Sequence, residues 1–166
     1  MVPDLIDRTD RWLRANRPDY HARLRPGVDD TRLNDFERGF GVTLPEAFRL
    51  LYKWKDGQNA TFSQSLVANF MFEPLDEVAR TKELLDGMIG FDFEDRKWWR
   101  RGWIPFMHNG GGDYLCLDLT AEDGGTPGQL LTFWHDNPRR AVRSASMTAW
   151  LTDLVESMER GTLRTV

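Results

Sequence analysis

Residues 103–119 read WIPFMHNGGGDYLCLDL, and their pattern predicts two antiparallel strands joined by a tight turn. The first strand covers Trp103–Met107 and the second covers 114–119. The HNGGGD segment between them is typical of a hairpin turn. In the second strand the leucines at 115, 117 and 119 alternate with Tyr, Cys and Asp, which indicates a strand with one buried face.

The chain beyond this hairpin predicts a third strand. The turn AEDGGTPG leads into QLLTFWH at 129–135, so three sequential strands form an antiparallel meander. Pro105 lies inside the first strand, and a proline has no N–H to donate to a neighbouring strand. We therefore expect an edge strand or a β-bulge at Pro105.

Helical periodicity flanks these strands on both sides. Apolar residues recur every three or four positions, and Pro, Asp, Ser and Gly stand where helices begin and end. The predicted helices cover about 3–16, 30–40, 45–55, 74–86 and 146–160. Helices first, then a meander, then a long amphipathic C-terminal helix predict an α+β fold with a central, mostly antiparallel sheet packed by helices. Residues 57–72 fit either a strand or a loop, and the strand order stays open.

The composition predicts a single domain over residues 1–166. The chain has a formal net charge of -4, and 40% of its residues are hydrophobic, which suffices for a core without disulfides or metals. Cys116 is the sole cysteine, and its place between two leucines favours a buried thiol over a nucleophile. No signal peptide or bilayer-spanning apolar run is present, so we expect a soluble, cytoplasmic chain without membrane contact, either a monomer or a homodimer.

The search for catalytic motifs favours a protein that is not an enzyme. There is no P-loop, no HExxH and no paired CxxC, and we expect no cofactor. The glycines at 110–112 lie between two strands, which favours a hairpin turn over a phosphate loop. His108, Asp113 and His135 offer one remote alternative, because three N/O ligands at one end of the sheet could hold a catalytic metal.

Residues 91–103 combine charge and aromatic rings. The run RKWWRRGW starts at Arg96, and basic residues interleaved with aromatics can bind nucleic acid. The acidic run FDFED precedes it directly, and the domain as a whole is not basic, so no specific nucleic acid is expected. If Trp98 and Trp99 are exposed, protein binding is the better interpretation, because Trp and Arg are favoured interface anchors.

The N-terminal segment, about 1–28, has the pattern of a helical extension. Its arginines recur every third residue, which is typical of a solvated helix face and also fits a basic binding stripe. These arginines are Arg8, Arg11, Arg14 and Arg17. We hypothesise that this segment and the WW-containing loop are variable parts that set the choice of partner.

Several segments in order resemble the SUKH superfamily, which is named after a fungal regulator of cell-wall synthesis and its bacterial relatives. The segments are LPEAFRLLYKWKDGQ, WIPFMHNGGGDYLCLDL and MTAWLTDLVESMERG, and the resemblance covers about 33–161. The matching positions are Leu44, Pro45, Asp56, Gly57, Trp103, Pro105, Gly112, Asp113, Asp118, Trp150 and Leu151. Each motif is loose alone, and their common order and spacing carry the resemblance.

The resemblance implies an α+β domain that acts by binding other proteins. Bacterial SUKH proteins are commonly immunity proteins that bind and neutralise a cognate toxin, often a nuclease, and fungal ones act as interaction hubs in cell-wall regulation. No catalytic residue is carried over from the family. We therefore expect an immunity protein whose acidic surface binds a basic toxin domain, with a regulatory scaffold or small-ligand sensor as the alternative. The candidate partner-binding residues are Asp56, Asp92, Glu94, Asp95, Trp98, Trp99, Asp113 and Asp123.

Overall fold

The computed structural model describes all 166 residues, with six helices and seven strands. The helices are α1 Val2–Asn16, α2 Pro18–His21, α3 Asp30–Phe40, α4 Glu46–Trp54, α5 Leu75–Met88 and α6 Met147–Glu159. The strands are β1 Leu24–Pro26, β2 Lys55–Gln58, β3 Met71–Phe72, β4 Trp103–His108, β5 Tyr114–Asp118, β6 Gln129–Phe133 and β7 Val142–Ser144. None of these helices combines the length and the apolar character that a membrane crossing needs.

The main sheet is an antiparallel meander of five strands in the order β3-β4-β5-β6-β7. This arrangement confirms the α+β class and the predicted hairpin, and it adds a short strand at each edge. Pro105 pairs opposite Cys116, whereas the next paired residue, Met107, lies opposite Leu115. The register therefore shifts at Pro105, which confirms the expected β-bulge, although β4 is an inner strand.

Helix ends follow the local sequence signals. The side chain of Asp29 accepts a hydrogen bond from the Arg32 N–H at 2.9 Å and begins α3, and Ser146 does the same for the Ala149 N–H at 3.0 Å in α6. Gly41, with a φ of +64°, ends α3 in the left-handed conformation. These caps use only residues close in sequence, which explains why the sequence predicts them.

The chain after α4 differs from the prediction. Asp56 and Gly57 do not close the helix with a turn; they lie in β2, which pairs with β1. Gly57 has a φ of +70°, and a Cβ there would lie 2.3 Å from the backbone nitrogen of Pro74. This close approach between distant parts of the chain overrides the local turn signal. Of the ambiguous residues 57–72, Met71 and Phe72 form β3.

Both faces of the main sheet are buried, which corrects the expectation of a half-buried strand. Leu115 and Leu117 of β5 point into the larger core, which the N-terminal and C-terminal helices share. Cys116 points the other way, into a second core. The members of this second core are Leu85, Trp99, Trp103, Cys116, Leu131 and Phe133. The predicted alternation is right, and the second face is covered by α5 and the loop that follows it.

The N-terminal helix belongs to the larger core. Leu5 and Leu13 are buried there, and Arg8 of α1 pairs with Glu159 of α6, with nitrogen and oxygen 2.6 Å apart. Arg17 donates to the Ser65 carbonyl at 2.8 Å. Two of the four periodic arginines therefore hold the helix in place and are not simply solvated. Truncating α1 to test partner binding would remove part of the fold.

We expect Leu13→Ala to lower the free energy of unfolding by about 2–5 kcal/mol, because it leaves a cavity at a fully buried site of the larger core. Urea unfolding followed by tryptophan fluorescence measures this loss. Arg11→Ala, on the exposed side of the same helix, is the matched control and should change stability by less than about 0.5 kcal/mol. Equal stabilities for the two variants would contradict a structural role for α1.

Candidate functional site

The loop between α5 and β4 carries an acidic groove on its outer side. Phe93 points inward, with its ring 6.3 Å from that of Phe133, while its neighbours Asp92 and Glu94 are exposed. Backbone hydrogen bonds from the N–H groups of Phe91 and Phe93 to the Met88 carbonyl turn the chain sharply after α5. This tight turn presents the carboxylates in a row on the surface.

The groove has a cavity volume of about 380 Å³. The residues that line it are Asp92, Phe93, Glu94, Asp95, Trp98 and His135. Four of the eight predicted partner-binding residues are therefore brought together: Asp92, Glu94, Asp95 and Trp98. Trp98 is half-buried and stands as the apolar wall of the groove.

The acidic residues of the groove keep their charge unpaired. None of the carboxylates of Asp92, Glu94 and Asp95 forms an ion pair, and the Asp95 carboxylate accepts only the Lys97 backbone N–H at 2.9 Å. Arg100, a few residues further along, is bound elsewhere through two hydrogen bonds to Asp123. The groove is thus a site of concentrated negative charge beside an aromatic ring.

His135 enters the groove from the end of β6 and is held by Asp113. The Asp113 carboxylate accepts hydrogen bonds from the His135 backbone N–H at 2.9 Å and from its ring Nδ1 at 2.8 Å. The hydrogen bond that His135 donates to Asp113 raises the pKa of His135 above its usual 6.5, while burial opposes this rise. Burial acts to raise the pKa of Asp113, but the hydrogen bonds from His135 outweigh it and lower that pKa. The ion pair therefore stabilises the fold at pH values between the two shifted pKa values.

Metal ligation is the remaining chemistry that this corner offers. Ligand atoms of Asp113, His135 and Asp136 lie within 4.8 Å of one another. Both Asp113 oxygens already accept hydrogen bonds, from His135 and from the Asn109 side chain. His108, the third residue of the alternative metal triad, instead lies 2.7 Å from a Glu73 oxygen. The structure therefore does not bring the three residues of this alternative together, and His135 lines the acidic groove.

Trp99 lies inside the protein, on the opposite side of the chain from Trp98. Its ring packs edge-to-face on Trp103 and Phe133, with 5.4 Å between centroids in each pair, and its Nε1 donates to Asp86 at 2.8 Å. A side chain with no exposed surface cannot contact a partner. Trp99 stabilises the loop that carries the groove, which corrects its assignment as an interface anchor.

Two further candidate carboxylates lie away from the groove. Asp56 is buried, accepts the Leu75 N–H at 2.7 Å and lies 3.2 Å from an Arg25 nitrogen. Burial raises the pKa of Asp56, and the structure gives it the role of capping α5 instead of meeting a partner. The hydrogen bond from Arg100 lowers the pKa of Asp123, and this exposed pair lines a different concavity.

The sequence analysis missed Arg140, which contacts the Trp98 wall of the groove, and did not single out the exposed Phe91. The Arg140 guanidinium lies 5.0 Å from the Trp98 ring centroid and 4.5 Å from that of Phe133, and it donates to the Trp98 carbonyl at 2.8 Å. Phe91 directly precedes Asp92 in the chain, and 79% of its surface is exposed. Phe91 is the first residue of the FDFED run and was therefore visible in the sequence, whereas Arg140 reaches Trp98 only through folding.

Comparison with known proteins identifies the class of this domain. The family model described as SMI1/KNR4 family (SUKH-1) matches residues 27–153. The chain belongs to this family, which confirms the resemblance found in its sequence. The match begins after α1 and α2, although α1 is part of the larger core.

Three named relatives cover parts of the same region. The chain is 35% identical to the F-box protein SKIP16 of Arabidopsis thaliana over 101 residues, or 51% of this chain and 23% of that protein. It is 23% identical to a glucan synthesis regulatory protein of Neurospora crassa over 202 aligned residues, or 93% of this chain and 38% of that protein. It is 34% identical to KNR4/SMI1 homolog 1 of Debaryomyces hansenii over 70 residues, or 40% of this chain and 16% of that protein. This chain therefore spans less than two fifths of each relative.

We expect Asp113→Asn to lower the pKa of His135 towards 6.5, because the substitution keeps the shape of the partner and removes its charge. An NMR titration of the histidine ring signals measures this pKa. Asp123→Asn, which removes a paired carboxylate remote from the groove, is the matched control and should leave the titration unchanged. An unshifted His135 pKa in Asp113→Asn would contradict the pairing described above.

Proposed function

We propose that this protein is a non-catalytic protein-binding domain that recognises a basic surface of its partner through the acidic groove. The single observation that carries this proposal is the row of unpaired, exposed carboxylates at Asp92, Glu94 and Asp95 beside Trp98. Such a surface attracts a positively charged protein over a long range and so speeds their association.

Aromatic side chains supply the second element of a protein interface. Phe91 is largely exposed, and Trp98 offers one ring surface while Arg140 holds the ring in place. A large rigid ring loses little conformational freedom on binding, which is why aromatic residues are frequent interface anchors. Charge would steer the partner to the groove, and burial of these rings would retain it.

The partner that best fits this chemistry is a toxin domain that itself binds nucleic acid. A nuclease presents lysines and arginines to phosphate groups, and an acidic, aromatic surface competes for those same groups. Binding there would block the path of the substrate without any chemistry by the immunity protein. This proposal joins the geometry of the groove to the toxin-neutralising role that the family resemblance implies.

A regulatory scaffold is the second candidate function. The observation that favours it is the similarity to a protein named as a glucan synthesis regulatory protein, which extends over 93% of this chain. In that case the same groove would bind a basic segment of a component of the cell-wall machinery. The two candidates share the surface and differ in the partner.

A catalytic role has less support from the arrangement of the polar residues. Cys116 is fully buried, and burial raises the pKa of its thiol far above the usual value, which keeps it protonated. His108 and His135 engage separate carboxylates. The residues that would be expected to act together as nucleophile and base therefore do not meet.

The partner can be identified by co-purification of the tagged protein from its native cells. We expect one stoichiometric partner whose isolated domain arrests growth when produced alone and no longer does so when this protein is co-produced. A stoichiometric partner without toxicity would refute the toxin proposal and favour the regulatory scaffold. Recovery of no partner at all would contradict both candidates.

The groove can be tested with the combined variant Asp92→Lys, Glu94→Lys and Asp95→Lys. We expect the association rate constant with the recovered partner to fall about tenfold or more at low salt, because the steering charge is reversed. Surface plasmon resonance measures this rate constant. The matched control reverses three exposed carboxylates on other faces, Asp7, Glu83 and Asp153, and so makes the same change in net charge. Equal rate constants for both variants would place the interface elsewhere.

A further inference from the structure

A second cleft lies on the other side of the β4–β5 turn from the acidic groove. A Cβ at Gly112 of this turn would lie 3.5 Å from His135, and one at Gly110 would lie 3.6 Å from Met71, which is in the wall of the second cleft. The cleft has a cavity volume of about 360 Å³ and runs between the loop after β2 and the start of α5. It is separate from the surface proposed above to bind a protein.

Glu73 lies at the inner end of this cleft with a largely buried carboxylate. Its backbone is fixed on both sides: its N–H donates to the Phe106 carbonyl at 3.1 Å, and its own carbonyl accepts from the Tyr52 hydroxyl at 2.8 Å. The side chain is only 14% exposed. A fixed backbone and a confined side chain keep the carboxylate in one position before any ligand arrives.

The Glu73 carboxylate is incompletely satisfied by the protein. Its Oε2 is buried and lies 2.7 Å from His108 Nε2. The other ring nitrogen of His108 accepts the Gly110 N–H at 3.2 Å, so Nε2 is the nitrogen that carries a proton, and Oε2 is not open to a ligand. Oε1 accepts no hydrogen bond within the protein, and a ligand in the cleft that brings N–H donors would satisfy it.

The rest of the cleft supplies a second carboxylate and apolar walls. Glu77 lies one turn further along α5 and pairs with Arg80 at the rim. Phe62 and Met71 form the apolar sides. Two carboxylates repel an anion, and the apolar walls suit a carbon chain better than they suit a hydrated metal ion.

We propose that this cleft binds a small organic cation, an ammonium group carried on an alkyl chain. The ammonium has three N–H donors for the Glu73 carboxylate and for polar groups near it. The alkyl chain would bury its carbon atoms against Phe62 and Met71, towards Glu77 at the rim. The proposal does not depend on the acidic groove or on its partner, and it gives this domain a capacity for small-ligand binding.

The test is isothermal titration calorimetry with 1,5-diaminopentane as the probe. We expect saturable binding by the whole protein, and we expect the uncharged analogue pentan-1-ol to bind at least about tenfold more weakly, because it lacks the charge-assisted hydrogen bond to Glu73. No saturable binding of the diamine, or equal binding of the alcohol, would overturn the proposal.

Variants locate the site. Glu73→Gln should weaken diamine binding about tenfold or more, because it removes the buried charge. Glu83→Gln, at an exposed position on α5 outside the cleft, is the matched control and should bind as the unaltered protein does. Ser63→Trp fills the cleft from its exposed loop and should also abolish binding, so the site remains testable if Glu73→Gln does not fold. Unchanged binding by Ser63→Trp would overturn the proposal.

A third ligand distinguishes two sources of the same chemical group. Nα-acetyl-lysine methylamide presents the ammonium as a protein side chain does. Tighter binding of the diamine supports a free small molecule as the natural ligand. Tighter binding of the lysine derivative would overturn that assignment and point to the lysine side chain of a protein.

Discussion

The placement of the acidic groove depends on one buried hydrogen-bonded pair. Lys82 and Asp86 lie one turn apart on α5; the Lys82 ammonium donates to Asp86 at 3.0 Å, and Asp86 accepts the indole N–H of Trp99 at 2.8 Å. Lys82 also donates to the Arg101 carbonyl. Burial lowers the pKa of Lys82, while the Asp86 carboxylate beside it favours the charged form. The pair thus fixes the loop at two points, so that Trp99 covers the second face of the sheet and Trp98 is left at the groove.

The parts of the fold that the sequence predicts are those that neighbouring residues determine. Asp29, Gly41 and Ser146 cap their helices through contacts within a few residues, and the bulge follows from the missing N–H of Pro105. β2 could not be predicted, because a contact between Gly57 and the distant segment before α5 overrides the local turn signal. β3 lies in the segment that the sequence left open between strand and loop, because pairing with the distant β4 defines it. β7 was missed; it is a three-residue strand that its pairing with β6 defines.

In the candidate site, too, neighbouring residues determine the features that the sequence predicts, and contacts made on folding determine the others. The carboxylates at 92, 94 and 95 lie within four consecutive residues, so the sequence could place them together before any fold was known. Which of two adjacent tryptophans faces outward depends on the partners that Asp86 and Arg140 provide after folding. The sequence offered His135 only as part of a remote metal-binding alternative, and its place beside Asp113 in the groove follows from the register of β5 and β6. Family membership identifies the domain, and these side chains form the surface proposed above to bind a partner.

The buried thiol of Cys116 makes this protein convenient for spectroscopic study. The sole cysteine lies in the second core, and burial raises the pKa of its thiol. Thiol-reactive dyes need an accessible thiolate, so a cysteine introduced on the surface would be labelled selectively without mutating Cys116. The Cys116 thiol becomes accessible only when the second core opens. The rate at which a thiol reagent modifies Cys116 therefore reports how often this core opens.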